Sequence, residues 1–403
     1  MRTLKALTFI LLWLVGAHAA NAANIERVSL VTCGPGSEIY ELEGHTALRL
    51  QFDDGTDLSV NWGTFDFNSP NFLYRFVKGE TDYRMAVYPY PYFLEQYRAE
   101  GRWLKEWELN LTRPQKERLV NLIDSTLTKG SAVYRYNYVK DNCATRPLDY
   151  IEKAIGGTIE LGPELGLPSG ADTFRRDMAF YHANYPWYQF GIDMALGSGI
   201  DYTLTHKEHR FAPTALDNML AGAYLTTPDG TRTALVQPPQ TILPENGGGP
   251  LPPTPWPLTP LFVCWLFFAA TLLVCINDIK RKKITRWYSS LYYSLTFVAG
   301  LLLTFLIFIS VHEATSPNWL FLWLNPLCVI GAVGLWLKKF KKAVFWWQIV
   351  NFVALTALTA IAVMGVQRLN AAFYPLIASD ALLAATYIAL NQVSFKRLCN
   401  IKE

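Results

Sequence analysis

Two hydrophobic patterns divide the chain. From about residue 25 to 236 the apolar positions fall in short alternating or helical runs, and from about 258 onward they fall in long unbroken stretches. Between Thr46 and Trp62 the alternation is strict: Thr46, Leu48, Leu50 and Phe52 precede a turn, and Leu58, Val60 and Trp62 follow it. A period of two predicts a half-buried β-hairpin. With Asp53, Asp54 and Gly55 as its loop and Gly55 left-handed, Phe52 pairs with Thr56, Asn61 falls opposite Ala47, and His45 falls opposite Gly63. Thr112-Arg-Pro-Gln115 reads as a capping box, opening a structural helix with Leu119, Leu122, Ile123 and Leu127 on its apolar face. The spacing from Pro147 to Ile155 predicts another helix, stopped by Gly156 and Gly157.

The long stretches number five: 258 to 276, 288 to 311, 318 to 337, 343 to 366 and 371 to 391. Each is about 20 residues long, enough to cross roughly 30 Å of hydrocarbon as a helix. Lys280, Arg281, Lys282, Lys283 and Arg286 follow the first, Lys338, Lys339, Lys341 and Lys342 the third, and Lys396, Arg397 and Lys402 the fifth, whereas the alternate loops carry only Arg368. Positive residues favour the cytoplasmic side, so the preceding domain is expected outside and the C-terminus inside. Asp380 is the only carboxylate within a span, and such groups face a partner or a wet cavity. His312 and Glu313 are expected in a solvated outer loop.

An apolar run from Ala6 to Gly16, preceded by Arg2 and Lys5 and followed by an alanine-rich exit, reads as a secretory signal over residues 1–22. The expected organisation is then an exported domain at 23–236, a Pro/Gly-rich linker at 237–257, and a five-helix transmembrane domain at 258–403. Composition agrees: 51% of residues are hydrophobic, the formal net charge is +3 and the mean hydropathy is +0.13. This balance excludes a disordered or nucleic-acid-coating chain and points to a protein with a membrane component.

Of six cysteines, only Cys33 and Cys143 lie in the exported part, so cysteines alone build no zinc framework. His206 and His209 read as a solvated pair and His182 as part of an aromatic core; no metal or cofactor is expected. Cys143 stands just ahead of the helix that includes Pro147, where the positive end of the helix dipole and a neighbouring imidazolium would favour a thiolate. The hairpin register puts His45 and Asn61 on one face as diagonal neighbours, and an amide beside an imidazole fixes which ring nitrogen carries the proton. Cys143, His45 and Asn61 are therefore the candidate catalytic residues. Asn142 and Arg146 are the candidates for binding an oxyanion or substrate.

Gly44-His45 on a strand, followed by Asn142-Cys143-Ala144-Thr145 at the opening of a helix, resembles the exported domain of the bacterial Lnb-type lipoprotein intramolecular transacylase family. Here an alanine interrupts that family's Asn-Cys-Thr-type motif. The order His, polar residue, Cys is also that of circularly permuted papain-like proteins such as the lecithin:retinol acyltransferase-like group. The resemblance covers about residues 28 to 225. It implies an α+β, permuted papain-like domain on a five-helix bundle. The implied activity is transfer of an acyl chain, through a Cys143 thioester, from the glyceryl group of a membrane lipoprotein to its N-terminal amine. Two alternatives stay open: a cysteine hydrolase of the same fold acting on peptidoglycan or lipid, and a non-catalytic envelope sensor or scaffold with a Cys33–Cys143 disulfide.

Overall fold

The computed structural model describes residues 23–163 and 172–398. The expected signal segment, Cys399 and Lys402 lie outside them. The first half is an α+β domain. Three strands open it, β1 (Ile25–Cys33), β2 (His45–Phe52) and β3 (Asp57–Thr64), and α1 (Phe72–Lys78), β4 (Tyr83–Pro89), α2 (Tyr90–Glu100) and β5 (Leu104–Glu108) follow. Next come α3 (Arg113–Thr128), β6 (Val133–Tyr134), α4 (Thr145–Ile155), β7 (Thr158–Glu160), α5 (Phe174–Tyr181), α6 (Pro186–Ala195) and α7 (Pro213–Leu220). Three short strands, β8 (Tyr224–Thr226), β9 (Arg232–Ala234) and β10 (Gln240–Leu243), complete the half. The main sheet has the order β10-β5-β1-β2-β3-β4-β6, with every pairing antiparallel.

Alternation along β1 and β2 divides the core between the two faces of this sheet. Val28, Leu30, Leu48 and Leu50 pack with Leu119 of α3 and with Leu148 and Ile151 of α4. Val31, Cys33 and Ala47 pack with Tyr90, Phe93 and Tyr97 of α2. Each fully buried aliphatic side chain contributes roughly 1.5–3 kcal/mol, so α4 is held firmly against the sheet. The expected hairpin forms in the expected register: the Phe52 N–H donates to Thr56 O at 2.9 Å, Asn61 pairs with Ala47, and Gly55 is left-handed at φ 87. The ladder stops at Ala47–Asn61, because β3 slips register between Asn61 and Thr64, so His45 has no paired partner in β3. The capping box of α3 is present as read, with the Thr112 N–H donating to Gln115 Oε1 at 2.8 Å.

The proline-rich segment is not a free linker. Its residues 240–243 form β10 on the edge of the sheet, an edge being where flanking prolines cost no ladder bonds. Beyond it, Leu251 O accepts from Asn184 Nδ2 and Leu258 O accepts from Trp187 Nε1, which strap the segment to the domain.

Four long helices make up the membrane part: α8 (Pro260–Arg281), α9 (Arg286–Phe308), α11 (Lys341–Val363) and α12 (Phe373–Leu398). The expected five-helix bundle needs correction at its third member. Residues 318–337 do not form one helix; they comprise a 3-10 turn at Trp319–Leu322 and the seven-residue α10 (Cys328–Gly334). Pro326 removes a helical N–H in the middle of this stretch, and Asn325 caps the turn by accepting the Leu327 N–H. The segment still runs the length of α9 in the opposite sense. Thr315 bonds Leu306 O, Asn325 lies against Gly300, Gly331 meets Tyr293, and Ser290 bonds Ala332 O. Irregular backbone at this depth is tolerated because one side of it packs against α9 and α11, while the Leu327, Val333 and Trp336 side chains stay exposed.

Candidate active site

His45 begins β2 immediately after Gly44, whose φ of 86 places its missing Cβ only 2.4 Å from Cys33 O. Only glycine permits this close crossing of β1. The His45 ring bonds Asn61 Oδ1 through Nε2 at 3.1 Å. Asn61 Nδ2 donates in turn to Ser59 Oγ at 3.3 Å, and the Ser59 hydroxyl donates to Tyr88 O at 3.1 Å. This chain orients the amide with its oxygen toward the imidazole. Nε2 is then the protonated nitrogen, and Nδ1 keeps the lone pair a base needs. The Asn61–Ser59 bond runs along β3, not across the hairpin, so the hairpin register does not disclose it.

Cys143 lies two residues before α4, which starts at Thr145. Burial pushes its thiol up to about 11, although the backbone N–H groups of Thr46 and of Cys143 itself, and the Tyr136 hydroxyl, favour the thiolate. Burial also lowers His45 to about 4, opposed by the bond to Asn61. Thiol and imidazole are thus both neutral at pH 7, in contrast to the expected thiolate–imidazolium pair. The expectation gave weight to the helix dipole; burial outweighs it. Cys33 and Cys143 are both free, buried thiols in this structure.

The two candidate binding residues are engaged elsewhere. Asn142 Nδ2 donates to Tyr138 O and Phe211 O, while its Oδ1 accepts from the N–H groups of Ala144 and Thr145. It ties down the loop that carries Cys143, and both its amide hydrogens are used. Arg146 makes a two-pronged pair with Asp141, at 2.6 and 2.7 Å, and lies over the Tyr134 ring. Arg102 is paired with Glu41 and Glu100.

His45, Asn61 and Cys143 line one cavity of about 1200 Å³. Tyr136 and Glu43 lie near the thiol, and Phe76 and Val77 from α1 and Leu302 and Leu306 from α9 add apolar surface to the lining. His312 and Glu313 line it too, and they are not a detached loop: His312 Nε2 donates to Phe76 O at 2.9 Å, and Glu313 accepts from Asn137 and Lys140. Glu43 went unnoticed as a site residue, and His182, in an aromatic stretch that reads as core able to line an acyl groove, does line the cavity. The cue available was that Glu43 stands two residues before His45; nothing in the sequence brings His182 beside it. His209 is buried against Asp177 at 2.6 Å and His206 contacts Leu161 O, and among the described residues no group of three or more His, Cys, Asp or Glu forms a metal site.

These features define an exported α+β domain with a buried thiol and imidazole, opening toward a bundle of membrane-length helices. Residues 17–176 match the family model for the Lnb N-terminal periplasmic domain, and residues 253–393 match that for the Lnb transmembrane domain. The chain belongs to the Lnb-type family, an enzyme family of lipoprotein acyltransferases, and is a multi-pass protein with a periplasmic N-terminal domain. Comparison with curated proteins and with solved structures gives no match.

Proposed function

We propose that the protein is a membrane-anchored cysteine acyltransferase that moves an acyl chain from the glyceryl group of a bacterial lipoprotein to its N-terminal amine. The observation that carries this reading is the shared cavity, in which Cys143 and His45 occupy one region and Leu302 and Leu306 of a membrane-length helix another. A lipid-borne ester entering past α1 and α9 keeps its chain on apolar surface while its carbonyl reaches the thiol. His45 Nδ1 takes the Cys143 proton as sulfur attacks the ester carbonyl. The glyceryl C–O bond then breaks, and its oxygen receives that proton. The Thr46 and Cys143 N–H groups, directed at the sulfur, are the donors available to the oxyanion. The acceptor amine finally attacks the thioester, giving its proton to His45 and releasing the thiol.

The His-before-Cys order and the His45–Asn61 bond support the permuted papain-like reading of this domain. Lys280 to Lys283 at the end of α8 and Lys338 to Lys342 at the start of α11 support a cytoplasmic side for that end of the bundle, and with it a cytoplasmic C-terminus. The test is mass spectrometry of N-terminal lipopeptides from membranes containing the wild-type protein or Cys143→Ala. The expected result is an acyl chain on the N-terminal amine, with one lost from glyceryl, in the wild type alone. Identical profiles would reject this substrate and leave peptidoglycan or phospholipid hydrolysis as the next assay.

A further inference from the structure

The cavity holds a second polar cluster that the thiol chemistry above does not use. Glu43 is 8% exposed and His182 1% exposed, and Glu43 Oε1 lies 3.8 Å from His182 Nε2, too far for a hydrogen bond. Among the described residues neither atom has a hydrogen-bond partner. In the amide orientation of Gln189 that places its Oε1 2.7 Å from Nδ1, the His182 Nδ1 carries the proton and Nε2 is a lone pair. With the Glu43 carboxyl ionised, two buried acceptors therefore face each other across a gap in the wall of the cavity that contains Cys143. Leaving them both unmatched is costly, and a single group that satisfies both presents at least two hydrogens, as a primary ammonium does. Tyr138 and Tyr188 also line this region, the latter with its ring 4.8 Å from that of His182. Aromatic faces beside a carboxyl suit a cation.

We infer that Glu43 and His182 form the binding site for the primary ammonium of the acyl acceptor, one N–H going to Glu43 Oε1 and another to His182 Nε2. This rests on the acyl-transfer reading and specifies where the second substrate group sits. Glu43 is close enough to Cys143 for their charges to interact, so an amine held there stands within the same chamber as the thioester. The site also deprotonates the amine. Burial raises the Glu43 carboxyl to about 8, near the value of an α-ammonium, so a proton passes from nitrogen to the carboxylate with little cost in either direction. The neutral amine then attacks the thioester carbonyl: a C–N bond forms, the C–S bond breaks, and the second amine proton reaches sulfur by way of His45. The carboxyl later returns its proton to solvent.

The test compares wild type, Glu43→Gln and His182→Asn in detergent or vesicles with a synthetic diacyl lipopeptide bearing a free N-terminal amine. Intact-mass measurement of acylated Cys143 and quantification of N-acylated product give the product formed per acyl-enzyme. Both variants are expected to carry acyl-Cys143, which also shows that they fold, while this ratio falls at least tenfold and the acyl group is lost instead to water. An unchanged ratio in Glu43→Gln, with the adduct present in wild type, overturns the amine site alone. Folded variants without any adduct would assign Glu43 to the thiol step and overturn it as well. A wild type that never forms the adduct overturns the thioester reading, and this assignment with it.

Discussion

The chain buries polar groups in two places, and it treats them differently. In the bundle Asp380 is fully buried, takes an N–H from Asn351 at 2.7 Å, and sits beside Tyr293 and Trp323. Tyr293 donates to Gln348, Trp323 donates to Tyr292, and Gln367 donates to Asn318, so side chains from α9, α11, α12 and the broken segment tie one another together. In the periplasmic cavity Cys143, Glu43 and His182 are buried and His45 half-buried, yet they keep a basic nitrogen, a thiol and two unpartnered atoms for a visitor. The cost of burying polarity is met mainly by mutual bonds in the bundle, where Asp380 Oδ2 is left without a partner, and is held open for substrate in the cavity. Loss of a group in the cavity should therefore change chemistry and not stability. Loss of a group in the bundle should do the reverse.

The largest contrast is expected from Cys143→Ala. Removing the nucleophile should cut N-acylation by at least ~10³-fold, while thermal unfolding shifts by no more than a small core truncation produces. Retained activity would end covalent catalysis. His45→Ala should follow at roughly 10²–10⁴-fold, the range for loss of a positioned general base. The pH profile sharpens this point. With its thiol raised to about 11, Cys143 should be alkylated slowly at neutral pH, the rate climbing about tenfold per pH unit between about 6 and 9. With His45 lowered to about 4, acid should stop the acylation of Cys143 only as pH falls through that value, where the imidazole gains its proton. Fast, pH-independent alkylation near pH 6 would mean a preformed thiolate–imidazolium pair.

What the sequence disclosed is local. The hairpin register followed from strict alternation and one glycine, and it brought Asn61 to His45 because a pairing pattern has a single outcome once its turn is placed. The position of Cys143 ahead of a helix followed from Pro147 and the glycines behind it. Hydropathy counted the third apolar stretch as a helix because it sums side chains and ignores the backbone, although Pro326 within it removes a ladder donor. It could not show that Leu302 and Leu306 share a cavity with Cys143, nor that Glu43 faces His182, since those contacts depend on packing between elements far apart in the chain. The proline-rich segment was misread for a related reason: its strand pairs with β5, whose open edge is visible only once the sheet exists.

Asn351→Ala tests the bundle side. It strips Asp380 of its donor inside the protein and should cost about 1–3 kcal/mol of stability, read as a lower melting temperature in detergent. Activity per folded molecule should be kept. A variant that melts like wild type but transfers acyl chains poorly would erase the distinction between the two clusters and make Asp380 part of the working site.

The smallest expected effect is the most specific. Ser59 touches neither the thiol nor the cavity wall, but its hydroxyl accepts from Asn61 Nδ2 and donates to Tyr88 O. In Ser59→Ala the amide loses the contact that tells its oxygen from its nitrogen. Turned over, it would donate to His45 Nε2, leaving the proton on Nδ1, the nitrogen that must receive one from Cys143. A loss of about 1 kcal/mol in this preference corresponds to a roughly fivefold slower acylation of Cys143. The rate should be read in single turnover, where substrate binding does not mask it. Ser59→Thr keeps the hydroxyl and should restore most of the rate, whereas a purely structural defect would appear as a lower melting temperature in the alanine variant. If Ser59→Ala acylates at the wild-type rate, Asn61 holds its orientation without Ser59, and the ordering chain ends at the amide.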